Sequence, residues 1–162
     1  MWREIIELSR PKNVVLAAIT VPLGAHLALS GDWSMQSLGL VTLQTTSAVC
    51  FMAAGNTFND ISDCDIDKVT KSHRPIPSER ISIGNARKVA YAFSLLSALC
   101  MASAIAFTDQ PYPLVAIWSF AAFLMYTYDA GPQTKKMGLI GNISISLMVG
   151  AVIIYGAASV SL

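Results

Sequence analysis

The chain has 162 residues, of which 54% are hydrophobic and 13% are charged. Soluble domains carry about 25% charged residues, so the composition excludes an ordinary soluble domain and indicates an all-α, polytopic membrane protein. The net charge of +1 points to no particular partner, and we expect no nucleic-acid partner. Cys50, Cys64 and Cys100 show no disulfide or metal-ligand spacing, so we interpret them as small apolar side chains.

Five apolar segments are long enough to form membrane-spanning helices. Residues 1–12 come before them and form a short amphipathic segment with a basic flank. The predicted spans, which form a single membrane domain over residues 1–162, are 13–30, 36–58, 86–107, 112–128 and 138–159. The second span covers about 34 Å at 1.5 Å per residue, enough for a hydrocarbon core of about 30 Å.

The basic residues predict the orientation of these spans. All 11 Lys and Arg residues lie in the N-terminal segment, in the loop at 59–88 or in the loop at 129–136, and the turns at 31–35 and 108–111 have none. Five antiparallel spans place those three regions on one side. The positive-inside rule makes that side of the cell membrane cytoplasmic, with the N-terminus inside and the C-terminus outside.

A group of carboxylates follows directly on the second span. Within eight residues it contains Asp60, Asp63, Asp65 and Asp67. An Asp at the centre of a lipid-facing helix costs roughly 2.5–3.5 kcal/mol on insertion scales, so this segment must line a polar cavity or lie at the water interface. The helical period places Asp65 elsewhere and groups the following residues on one face: Asn56, Asn59 or Asp60, Asp63 and Asp67.

This acidic face favours a bound cation, because like charges three and four residues apart repel one another on a helix. Ligands that are all oxygen select Mg²⁺ or Ca²⁺ over zinc or copper. Lys and Arg in the neighbouring loops indicate that a polyanion, such as a diphosphate, is bridged by the metal. In a membrane cavity, such a substrate would carry an apolar tail. The alternative interpretation is a solvated acidic helix end.

Several tracts resemble one known family. Residues 59–67 (N-D-I-S-D-C-D-I-D) resemble the first aspartate motif, N-D-x-x-D-x-x-x-D, of UbiA-type intramembrane prenyltransferases. Residues 73–82 (H-R-P-I-P-S-E-R-I-S) are similar to the family's R-P-I-P-S-G-R-I-S run, with Glu79 where a Gly is common. Residues 126–142, with Y-T-Y and K-K-M-G-L-I-G-N, and residues 10–13 (R-P-K-N) also resemble family elements. The resemblance extends over the entire chain.

The resemblance implies a reaction and a set of roles. Mg²⁺ and a prenyl diphosphate bind, the allylic C–O bond ionises, and an acceptor traps the carbocation. The aspartates Asp60, Asp63 and Asp67 would be catalytic and, with Asn56, would hold the metal. The implied substrate-binding residues are Asn56, Asn59, Lys71, Arg74, Tyr126, Lys135 and Asn142. We favour a cavity position for Asn142, and helix-to-helix hydrogen bonding is the alternative.

The tract at 126–142 is similar to that of archaeal digeranylgeranylglyceryl phosphate synthases. This similarity implies transfer of a geranylgeranyl group to geranylgeranylglyceryl phosphate in ether-lipid synthesis. An aromatic acceptor, as in quinone or haem pathways, stays open at this point.

The chain also departs from the family pattern. The family has about nine spans and a second aspartate-rich motif, whereas this chain has five predicted spans, and Asp109 and Asp129 are lone residues. We therefore expect the N-terminal part of a UbiA-type fold, with a C-terminal half as a missing partner. An inactive membrane fragment is one alternative. A CDP-alcohol phosphotransferase lacks support because D-G-x-x-A-R is absent, and a divalent-cation transporter would need more polar residues in spans three and four.

Overall fold

Seven α-helices and one 3-10 helix form the part of the chain that the computed structural model describes, which is residues 1–158 and residue 160. No strand occurs in this part, and the predicted all-α class is confirmed. The α-helices are α1 (Trp2–Ser9), α2 (Pro11–Leu29), α3 (Met35–Ser62), α4 (Cys64–Thr70), α5 (Ile83–Ile105), α6 (Pro111–Asp129) and α7 (Leu139–Ala157). The 3-10 helix spans Thr134–Lys136.

Four of the described helices are long and apolar enough to cross a membrane, namely α2, α3, α5 and α7. The sequence predicted a fifth span at 112–128, where α6 has the same 19-residue length as α2 and α7. Helix α6 is not among the four, and the fifth span stays a prediction. The predicted end of the last span at Ser159, and the C-terminal Leu162, lie outside the described residues.

Local hydrogen bonds explain where the long helices begin. The Ser34 hydroxyl accepts from the Ser37 backbone N–H at 3.0 Å, and the Ser37 hydroxyl accepts from the Ser34 N–H at 2.8 Å, which forms a reciprocal cap on α3. The Ser82 hydroxyl caps α5 with a single hydrogen bond, accepting from the Asn85 N–H at 3.2 Å. Helix α2 begins at Pro11, whose missing N–H costs nothing in a first turn.

Helix α3 is at the centre of the bundle and contacts α1, α2, α4, α5, α6 and α7. Helices α2 and α7 approach each other closely at two glycines. A Cβ at Gly24 would lie 2.1 Å from the Ile153 carbonyl oxygen, and a Cβ at Gly156 would lie 2.1 Å from the Val21 carbonyl oxygen. Small residues permit this close backbone contact between membrane helices.

Candidate functional site

The predicted acidic face is divided between two helices. Asp60 lies in the last turn of α3, Asp63 lies at the junction, and Asp67 lies in α4. The Asp67 backbone N–H donates to the Asp63 carbonyl oxygen at 2.8 Å. This is the hydrogen bond of an α-helix, so the break between α3 and α4 hardly changes the helical spacing of the aspartates. Asp65 points away, as predicted: its side chain is 93% exposed and pairs with Lys68 at 2.9 Å.

Arg74 bridges two of the aspartates. Its Nη1 donates to Asp60 Oδ1 at 3.0 Å and to Asp67 Oδ2 at 2.6 Å. The Asp60 and Asp67 side chains are only 4% and 2% exposed. Each has a second cationic partner, because Arg10 donates to Asp60 and the Lys71 Nζ lies 3.4 Å from Asp67 Oδ1. This double pairing makes the burial of both carboxylates tolerable.

The surroundings of Asp67 also affect its ionisation. Burial of the carboxyl raises its pKa, but the hydrogen bond and charge of Arg74, together with the charge of Lys71, outweigh burial. The pKa of Asp67 is therefore lowered below its ordinary value, and the group stays ionised at neutral pH.

Lys135 connects the remaining carboxylates. Its Nζ donates to Asp63 Oδ1 at 2.7 Å, to Asp129 Oδ1 at 3.1 Å and to the Ser62 hydroxyl. The loop that carries Lys135 lies against α7 at Gly141, where a Cβ would be 3.0 Å from the Lys135 Cα. The glycine therefore allows the loop to approach closely enough for the ammonium to reach α3.

A second set of hydrogen bonds joins the junction of α1 and α2 to α3 and α6. Arg10, which has φ of 53°, donates to Asn59 Oδ1 at 3.0 Å, and the Asn59 amide donates to Asp129 Oδ1 at 3.0 Å. The Asn56 amide donates to the Ser9 carbonyl oxygen at 2.8 Å and accepts from Asn13 at 3.3 Å. These contacts hold the polar residues of four helices at one end of the bundle.

The site is electrically balanced. Four carboxylates (Asp60, Asp63, Asp67 and Asp129) face four cations (Arg10, Lys71, Arg74 and Lys135). Carboxylate and amide oxygens are the donors that Mg²⁺ prefers, so the donor chemistry fits that ion. Within residues 1–158 and 160, however, no three Asp, Glu, His or Cys side chains are grouped so that they could hold a metal ion. Asp60, Asp63 and Asp67 are each paired with a cation, so a metal ion would compete with Arg74 and Lys135 for their oxygens.

A cavity of about 360 Å³ opens beside this cluster. Its volume falls within the range of about 300–1,000 Å³ that is typical of small-molecule sites. The polar end is lined by Arg10, Asn13, Asn56, Asn59, Tyr128 and Asp129. The rest of the lining is apolar or aromatic and comes mainly from α3, α6 and α7. The cavity can therefore hold a ligand that has one charged end and a long apolar body.

Two predicted substrate-binding residues lie elsewhere. Tyr126 is 62% exposed and does not line the cavity, whereas Tyr128 does. Asn142 is also exposed and outside the lining. Arg10 was noted in the sequence only as part of a family tract, and Asp129 only as a lone residue. The signal for Arg10 was its position in R-P-K-N; nothing in the local sequence of Asp129 indicated its contact with Asn59.

The chain is similar to known proteins over almost its whole length. The UbiA prenyltransferase family model matches residues 14–161. The chain is 34% identical over 158 residues to a digeranylgeranylglyceryl phosphate synthase of Pyrococcus abyssi, covering 98% of this chain and 53% of that protein. It is 37% identical over 153 residues to the protein of the same name from Methanobrevibacter smithii, covering 93% and 50%. The chain thus spans about half the length of the curated relatives it matches.

Solved structures share the fold. A chain from structural work on digeranylgeranylglyceryl phosphate synthase in membranes superposes with a TM-score of 0.81 at 25% identity, covering 98% of this chain and 54% of that chain. A UbiA homolog from Archaeoglobus fulgidus, bound to DMAPP and Mg²⁺, superposes with a TM-score of 0.79 at 21% identity, covering 98% and 55%.

Proposed function

The chain belongs to the UbiA prenyltransferase family, and from this premise we propose that it binds a prenyl diphosphate with Mg²⁺ for transfer of the prenyl group to an acceptor. One observation carries the proposal: a balanced cluster of aspartates and basic residues adjoins an apolar cavity. Arg10 and Asp129 belong to both, and Asn59 in the cavity lining hydrogen-bonds to each of them. A prenyl diphosphate has the same division into a charged head and an apolar tail.

The basic side chains would bind the diphosphate. Arg74 and Lys135 already donate to carboxylate oxygens, and they can turn the same donors to phosphate oxygens. Asp60, Asp63 and Asp67, with Asn56, would hold Mg²⁺, which supplies positive charge that makes diphosphate a better leaving group. Lys71 and Arg10 lie close enough to the same carboxylates to join in binding the anion.

The reaction then needs charge stabilisation and exclusion of water. As the allylic C–O bond breaks, its electron pair leaves with the diphosphate, and donors held in place stabilise the growing negative charge. The apolar cavity shields the prenyl carbon from bulk water. The acceptor oxygen bonds to that carbon and releases its proton.

The relatives support a particular substrate pair. Relatives between 30% and 37% identical carry the name digeranylgeranylglyceryl phosphate synthase. We therefore propose a geranylgeranyl group as the transferred unit and geranylgeranylglyceryl phosphate as the acceptor. The proposal places the cluster on the cytoplasmic side of the cell membrane. It treats this chain as the N-terminal part of the fold, completed by a C-terminal half, as a single membrane domain.

The test is prenyl transfer in liposomes, with labelled geranylgeranyl diphosphate and with and without Mg²⁺. Asp63→Asn should lower transfer at least 100-fold, because Asp63 faces the cluster. Asp65→Asn is the matched control from the same motif and should keep wild-type activity, since Asp65 points to solvent. Equal activity of the two variants would contradict the site.

A parallel assay separates the acceptors. Geranylgeranylglyceryl phosphate and an aromatic acid are offered in turn, and transfer only to the aromatic acid would overturn the proposed acceptor. Mg²⁺-dependent binding of the diphosphate, measured by calorimetry, is followed in the same preparations. Binding without transfer would show that the site is present but that the reaction needs the further part of the fold.

A further inference from the structure

We propose that Trp118 and Tyr155 form a hydrogen-bonded floor across the deep end of the cavity and limit the length of the prenyl tail that it accepts. This inference rests on the proposed function, and it assigns tail-length selection to these two residues. Both rings line the cavity, and polar side chains from two further positions hold them in place.

The lining residues establish which end is deep. Along α3 they run from Asn59 at the polar end to Ala48, and a rise of 1.5 Å per residue makes this about 16 Å. Along α6 they run from Asp129 back to Ile117 and Trp118. Along α7 the last lining residue is Tyr155. The order of lining residues along all three helices therefore places Trp118 and Tyr155 at the end of the cavity far from the charged cluster.

Hydrogen bonds fix the orientation of both rings. The Trp118 indole N–H donates to Ser97 Oγ at 3.1 Å, and the Tyr155 hydroxyl donates to Ser47 Oγ at 3.4 Å. The two serines are themselves joined, since the Ser47 hydroxyl donates to the Ser97 carbonyl oxygen at 2.9 Å. Phe51 packs edge-on against Trp118 with ring centroids 6.0 Å apart. The floor therefore joins α3, α5, α6 and α7.

The space behind the floor is filled. Ser47, Ser97 and Gln44 are fully buried, and Gln44 donates to the Tyr155 carbonyl oxygen at 2.6 Å, one turn beyond the cavity lining. Polar side chains at this depth of a membrane bundle are uncommon and usually have a function. Here they occupy the space into which the Trp118 and Tyr155 rings would otherwise move. A tail that reaches the floor meets these packed side chains, and one additional isoprene unit would have to displace them.

The test measures dissociation constants of the full chain in detergent, by calorimetry, for prenyl diphosphates of two to six isoprene units with Mg²⁺. In the wild type, affinity should rise with length and then fall sharply. Trp118→Ala should move that fall by at least one unit, with a gain of about tenfold or more for the first excluded tail, comparable to the 10–200-fold effect of a misfitting group in an apolar pocket. Trp33→Ala, in the turn between α2 and α3 and outside the cavity lining, should leave the length profile unchanged.

Two further arms keep the inference separable from the proposed function and from misfolding. Prenyl alcohols of the same lengths need neither Mg²⁺ nor the charged cluster, so they test the floor even if no diphosphate binds. Ser97→Ala removes only one hydroxyl, and it should relax the length limit in the same direction and by less than Trp118→Ala. An unchanged length limit in both variants, or the absence of any limit in the wild type, would overturn the inference.

Discussion

Replacing Arg74 by Ala should destabilise the bundle more than replacing an arginine whose ion pair is exposed. The substitution removes two hydrogen bonds, at 3.0 and 2.6 Å, from carboxylates that are almost completely buried. A hydrogen bond to a charged group contributes about 1.5–3 kcal/mol, and breaking a buried ion pair costs about 3–5 kcal/mol. Arg10 still pairs with Asp60 and Lys71 still pairs with Asp67 in this variant. We therefore expect the free energy of unfolding to fall by an amount near the lower limit, about 3 kcal/mol.

The assay is chemical unfolding in detergent micelles, compared with two control variants. Arg80 makes a bidentate pair with Glu7, but the two side chains are 39% and 40% exposed, so Arg80→Ala should cost clearly less than Arg74→Ala. Arg74→Lys should lie between wild type and Arg74→Ala, because an ammonium cannot reproduce the planar fork of a guanidinium. Equal losses in Arg74→Ala and Arg80→Ala would refute the reasoning that burial makes the Arg74 bridge strong.

Further outcomes concern pH, packing and ligand binding. The pKa of Asp67 is lower in the folded protein than its ordinary value of 3.8. The stability that ionised Asp67 contributes is therefore fully present above about pH 4 and is lost as pH falls through the folded pKa. In acid unfolding curves, Asp67→Asn should lose less stability than the wild type over this range. Gly24→Ala should cost about 1–3 kcal/mol in the same unfolding assay, because a Cβ would strike a backbone carbonyl, whereas Gly39→Ala has open space and should be neutral. Lys135→Met should weaken prenyl diphosphate binding about tenfold or more, as measured by calorimetry. Lys136→Met should leave binding unchanged, because the Lys136 ammonium donates to Gln133, outside the cluster. Equal effects of the two variants would place the diphosphate elsewhere.

The sequence predicted the parts of the site that depend on local spacing. Asp60, Asp63 and Asp67 lie within two turns of one another, and helical periodicity alone brings them to one face. Arg74 was assigned to the same site only through the family resemblance, on the R-P-I-P run. The family resemblance, confirmed by the family match, placed Lys135 in the same region.

The remainder of the site depends on how the helices cross, which no local pattern records. Asn59 contacts Asp129, and Arg10 contacts Asp60, across 70 and 50 positions of sequence. The choice between Tyr126 and Tyr128 depends on the rotation of α6 about its axis. Only Tyr128 points to the cavity, and both tyrosines fit the same tract equally well.

The close pairing of α2 with α7 sets a requirement for the order of assembly in the bilayer. Helix α7 follows α2 by more than a hundred residues, so the grooves at Gly24 and Val21 are made long before their counterpart exists. At synthesis rates of about 5–20 residues per second, this interval is roughly 5–25 s. During that time α2 must stay beside lipid or the insertion machinery, and the ring of helices can close only once α7 has entered the membrane.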